Sequence, residues 1–245
     1  MKKLILFVYD FPHKKSLKGM QIIKSFDLNN TYVIASPKIK LNFRQSNERV
    51  VVKEKEFINP NDLAKKYGWE SIVAPHNSND AISFYNTVDP DYGIILGSRI
   101  LSKDVINCFK KGIINFHPGV LPENRGLDNL KWAIYNNLPQ GVTTHLIDEN
   151  IDVGFKIFKD LINVELEDTI FDVNSKLLDK QFDHLCNLIV EDFKFKKEES
   201  LISNYQSQKA VPESIENEVM DKFENYKKNY KNIVDFYKKV EKNSN

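Results

Sequence analysis

The feature that most constrains this chain is a series of short, almost uninterrupted apolar runs. They are Leu4-Ile5-Leu6-Phe7-Val8-Tyr9, Tyr32-Val33-Ile34-Ala35, Tyr92-Gly93-Ile94-Ile95-Leu96 and Ile113-Ile114. Runs with no polar alternation belong to strands buried on both faces. Stretches of helical spacing lie between them: Met20 to Phe26, Asn61 to Gly68 with an Asn cap and a Gly stop, and Asp80 to Val88. Further strands are expected at Arg49 to Lys53, Ser71 to Pro75 and Lys156 to Ile162, and a long helix over Asp168 to Phe193. Strands alternating with helices predict an α/β chain with a Rossmann-like, doubly wound, mostly parallel sheet.

Length and charge narrow the classes. A chain of 245 residues can bury one sizeable domain plus a small extension, here expected as 1–198 and 199–245. Net charge is +1, so no global field steers it toward nucleic acid. No apolar run approaches the ~18 residues of a membrane span. Met1 to Val8 reads as a first strand rather than a leader, because Asp10 follows at once. Cys108 and Cys186 have no metal spacing and read as packed free thiols of a reducing compartment. The expectation is a cytoplasmic protein with no metal and no membrane partner.

Polar residues gather at one strand end. In Ile113-Ile114-Asn115-Phe116-His117-Pro118, side-chain alternation puts Asn115 and His117 on one side, and Pro118 ends the strand. Ligands of α/β sheets bind at that edge. Gly119, Pro122 and Gly126 make the following loop turn-rich. Two readings stand for this stretch alone: a site, or a turn capped by two satisfied side chains. A second segment, Gly141 to Gly154, is another strand running into an acidic loop that ends Asp152-Val153-Gly154. The loop after the first strand has no glycine-rich phosphate cradle; Gly19 comes too late.

Taken together, Asn115-Phe116-His117-Pro118, then Leu121-Pro122-Glu123-Asn124-Arg125-Gly126, a helical stretch to Asn137, and Ile151-Asp152-Val153-Gly154 resemble the folate-dependent formyltransferases. The resemblance covers about residues 93 to 162. It implies that Asn115, His117 and Asp152 form the catalytic set, with N10-formyltetrahydrofolate as co-substrate. It also implies pterin contacts from Arg99, Ile100 and Leu101, and from the backbone of Asp148, Glu149, Asn150 and Ile151. Arg99 reads alternatively as a surface arginine, and Asp148-Glu149 as an exposed turn. Acceptor contacts are expected from His76, Asn77, Gly119, Asn124 and Arg125. His76 reads alternatively as part of a helix cap, and Arg125 as a pin for its own loop. His145 reads as a satisfied structural histidine.

The rest of the chain bears on the acceptor. The missing phosphate cradle counts against a phosphoribosylglycinamide acceptor. The residues after Tyr205 look helical, not like the strands of the transfer-RNA-binding barrel in methionyl-transfer-RNA members. What remains looks similar to bacterial sugar N-formyltransferases acting on a nucleotide-linked (dTDP- or GDP-) 4-amino-4,6-dideoxyhexose for O-antigen synthesis. A formyltetrahydrofolate hydrolase is the rival in another class. In the last helix Val219, Phe223, Tyr226, Tyr230, Ile233, Tyr237 and Val240 form a heptad stripe. That stripe either packs on its own domain or serves as a homodimer seam, which sugar-modifying relatives favour.

Overall fold

The computed structural model describes residues 2–40, 58–148, 154–196, 201 and 205–244. Its strands are β1 (Leu4–Tyr9), β2 (Thr31–Ser36), β3 (Glu70–Val73), β4 (Tyr92–Ile95), β5 (Gly112–His117), β6 (Gly141–Ile147) and β7 (Gly154–Leu161). Its helices are α1 (Lys14–Ser25), α2 (Pro60–Lys66), α3 (Asn79–Val88), α4 (Lys103–Ile106), α5 (Asn129–Tyr135), α6 (Ile170–Val190) and α7 (Glu213–Ser244). The strand expected at Arg49 to Lys53 lies outside the described residues.

The strands form one seven-stranded sheet, ordered β3-β2-β1-β4-β5-β6-β7. From β3 to β5 all neighbours are parallel, whereas β5–β6 and β6–β7 are antiparallel. β1 is covered on both faces, as its unbroken apolar run demands. Leu4, Leu6 and Val8 pack with residues of α1, α2 and α6, while Ile5 and Phe7 pack with those of α3 and α4. The order reverses between β1 and β4, which opens a crevice at the C-terminal edge of the parallel strands.

Helix ends differ modestly from expectation. α1 begins at Lys14, well before Met20, because His13 caps it, its Nδ1 facing the Ser16 amide at 3.4 Å. Histidine is not among the preferred caps, so the start left no signal. α2 is capped by Asn59, with Pro60 in its first turn, and Gly68 follows its end at φ 72°.

The heptad stripe of α7 faces its own chain. Val219, Phe223, Tyr226 and Tyr230 are buried with Ile134, Val142 and Val173. Tyr226 donates to the Leu138 carbonyl at 2.7 Å and Tyr230 to that of Ile162 at 2.7 Å. A buried Lys131–Glu216 ion pair ties α5 to the start of the same helix. The seam reading therefore loses this stripe: from Val219 to Tyr230 it is occupied by the protein's own core.

Candidate active site

β5 delivers Asn115 and His117 to one face, as the alternation requires. Cross-strand pairing sets His145 opposite Asn115 and Thr143 opposite His117, and opposed residues share a face. The Asn115 amide nitrogen lies 3.2 Å from His145 Nε2. An amide N–H can only donate, so that nitrogen of His145 is the acceptor. One of the two Asn115 N–H groups is thereby fixed and the other keeps a defined direction.

His117 is 3% exposed, and its Nε2 lies 2.8 Å from the backbone carbonyl of Asn124. A carbonyl cannot donate, so Nε2 carries the hydrogen. The proton chemistry of this ring falls to Nδ1. The loop makes this bond possible through Gly119. A Cβ there would meet the Asn124 carbonyl oxygen at 2.7 Å and His117 Nε2 at 2.9 Å. Thr143 supports the same loop from beneath: its hydroxyl donates to the Gly119 carbonyl at 2.8 Å and accepts from the Leu121 amide at 3.0 Å.

The structure reassigns several expected contacts. Asn124 is 2% exposed, and its side chain donates to the Asn129 carbonyl at 2.9 Å, so its carboxamide braces the loop instead of facing an acceptor. Arg125 donates through Nη1 to the Tyr205 carbonyl at 2.9 Å, which is the loop-pinning role. His76 is buried with Nε2 at 3.1 Å from the Val8 carbonyl. Burial pulls its pKa down to about 4, so the ring is held neutral within the fold. Asn77 bonds the backbone of Ile100 and Ser102, stitching its loop to the one after β4. In that loop the apolar side chain of Ile100 is 65% exposed. Leu101 is 5% exposed and packs in the core, so only its backbone can reach a ligand. Arg99 is half-buried, and its charge is felt by His76. Asp148 is half-buried at the end of β6. Glu149, Asn150, Ile151 and Asp152 lie outside the described residues.

The switch-point crevice also holds groups the sequence did not flag. Tyr9 and Phe11 stack at 4.8 Å, and Tyr9 donates to the Ser98 carbonyl at 2.7 Å. Lys15 Nζ donates at 3.1 Å to the Phe116 carbonyl, between Asn115 and His117. Burial lowers Lys15 to about 8, and burial with the Lys15 charge lowers His13 to about 4. None of these residues falls in a motif; only the fold brings them to the end of β5.

A fixed amide donor thus stands beside a histidine of set tautomer at the carboxyl edge of an α/β sheet, and donors of that kind can stabilise a developing oxyanion. A family model described as formyl transferase matches residues 36–189, more than half of the chain, and the chain belongs to that family. It is 31% identical over 152 residues to the methionyl-tRNA formyltransferase of Clostridium tetani, covering 57% of this chain and 49% of that one. It is 35% identical over 101 residues to the GDP-perosamine N-formyltransferase of Brucella melitensis biotype 1, covering 40% and 39%. These alignments span half or less of the relatives' length. In fold it is similar to a 4-N formyltransferase from Francisella tularensis, with TM-score 0.59 and 24% identity over 87% of this chain and 86% of that one.

Proposed function

We propose that this protein is an N-formyltransferase that moves the formyl group of N10-formyltetrahydrofolate onto the 4-amino group of a nucleotide-linked (dTDP- or GDP-) 4-amino-4,6-dideoxy sugar, for O-antigen assembly. The observation that carries the reading is the pair of side-chain donors, Asn115 and His117, fixed side by side by His145 and by the Asn124 carbonyl. The amine nitrogen attacks the formyl carbon, the carbonyl π pair moves to oxygen, and the oxyanion is met by the second Asn115 N–H. One such donor is worth roughly 10²–10³ in rate. The His117 ring takes the amine proton at Nδ1 and returns it to N10 as the C–N10 bond breaks. A formamide and tetrahydrofolate result.

Asp152 completes the proposed set. It enters from the resemblance of Ile151-Asp152-Val153-Gly154 to the family's motif, and its carboxylate would stabilise the imidazolium of His117.

The acceptor class rests on what surrounds the pair. The loop after β1 offers an aromatic plane, Tyr9 on Phe11, with Lys15 close by, which suits a base and a diphosphate. The GDP-perosamine relative supports the sugar class. A homodimer remains part of the proposal, with a surface other than the buried stretch of α7.

The test is product mass spectrometry on a panel of nucleotide-linked 4-amino and 3-amino sugars, with phosphoribosylglycinamide included, alongside tetrahydrofolate release. A mass gain of one formyl group on a 4-amino sugar, with release dependent on that sugar, is the expected result. Release without any acceptor would make the protein a formyltetrahydrofolate hydrolase. Formylation of phosphoribosylglycinamide alone would place it with the purine enzymes.

A further inference from the structure

We propose that Tyr237 of α7 is a positioning residue for His117, acting through Glu123 and the loop that holds the imidazole. The Tyr237 hydroxyl donates to the Glu123 carboxylate at 3.2 Å and accepts from Lys159 Nζ at 3.1 Å. Lys159 also reaches the Leu121 carbonyl at 3.4 Å, pairs with Glu241 of α7, and lies 5.5 Å from the centre of the Tyr237 ring. Ammonium to phenol to carboxylate is a chain in which every donor meets an acceptor, and such chains reinforce themselves away from water. Tyr237 is 7% exposed. Burial and the carboxylates of Glu123 and Glu241 hold its phenol above the usual range, so it stays a donor.

Glu123 immediately precedes Asn124, the residue whose carbonyl fixes His117. The residues immediately after Asn124 are tied to the same C-terminal segment. Arg125 reaches the Tyr205 carbonyl, and its own carbonyl accepts from the Gln208 amide at 2.8 Å. The Leu127 amide donates to the Gln208 carbonyl at 2.9 Å. Asn124, whose carbonyl also accepts from Asn129 Nδ2 at 2.9 Å, is thus flanked on both sides by contacts to a part of the chain distant in sequence. A slack clamp lets the Asn124 carbonyl turn, and the imidazole then loses its single tautomer. A displacement of about 1 Å at a group that acts in the reaction can cost about 10²-fold in rate.

The experiment compares the full chain with Tyr237→Phe, which removes the hydroxyl and keeps the ring. Steady-state formyl transfer is read together with 15N shifts of the His117 ring. We expect kcat to fall at least about fivefold, KM for donor and acceptor to stay within about twofold, and the ring to leave the pure Nε2–H form. Glu123→Ala should reproduce this, and Glu123→Gln, which keeps an acceptor oxygen, should restore most of kcat. Unchanged kcat in Tyr237→Phe, or a lower kcat with an unmoved His117 tautomer, overturns the proposal. Only the kinetic arm rests on the formyl-transfer reading. If the wild-type chain formylates nothing, that reading fails, and the ring spectra alone decide the coupling.

Discussion

His117 donates from Nε2 to the main-chain oxygen of Asn124, seven residues further on, at 2.8 Å. The bond closes a short loop back onto the strand it came from. Because the acceptor is backbone, no side-chain substitution at Asn124 removes it directly. The tautomer of the ring is a property of the loop's shape.

The two donors have separable roles in the proposed reaction. Asn115→Ala is expected to lower kcat by about 10²–10³-fold with native circular dichroism. His117→Ala removes the proton acceptor and the bond to the Asn124 carbonyl together and should lose at least as much. Near-wild-type turnover in either variant would remove the mechanism.

Gly119→Ala tests the loop's contact with the ring. The added methyl meets backbone on one side and His117 on the other, and neither is the free end of a flexible side chain. The loop must shift, so activity should drop at least about tenfold while the core stays folded. Kinetics beside a thermal melt separates the two effects.

Thr143→Val keeps the shape and removes the hydroxyl. The Gly119 carbonyl and the Leu121 amide then each lose a partner. Such losses cost about 1–3 kcal/mol each where the group is buried. Urea unfolding should show a midpoint shift of that order at unchanged slope, and a wild-type midpoint would contradict the geometry.

Stability should fall with pH well before the carboxylates titrate. Burial lowers His76 to about 4 from an unfolded value of 6.5, and His13 moves the same way. Above pH 6.5 both rings are neutral, folded or unfolded, and contribute no slope. Between 6.5 and 4 the unfolded chain takes up protons that the folded chain refuses. For His76 the loss amounts to about 3 kcal/mol by pH 4. Urea midpoints at pH 7 and pH 4.5 check it, and His76→Gln should flatten the curve. A midpoint independent of pH over that window would contradict the burial.

How much of this was legible in the sequence depends on the kind of signal each part leaves. β1, β2 and β4 were readable because double burial forces apolar runs. Asn115 and His117 were readable because period two and a terminating proline place them. Thr143 and Lys159 were not, because they act only through cross-strand register, which the chain between the β5 and β6 partners His117 and Thr143 does not encode locally. The stripe on α7 read correctly as a buried face, but a heptad does not say whose surface covers it. The burial of Asn124 and His76 was not legible for one reason: a polar residue in a loop looks exposed until its hydrogen-bond partners are known.

The change of strand direction at β5 has a consequence for how such a protein can diversify. One flank is built from crossovers that must keep their handedness, the other from antiparallel neighbours, β5 and β6 joined through α5, that carry no such constraint. Insertions and deletions in the antiparallel flank can reshape the wall beside Asn115 and His117 without re-threading the crossover flank. A lineage can therefore alter that wall through one half of the molecule while the other half keeps its wiring.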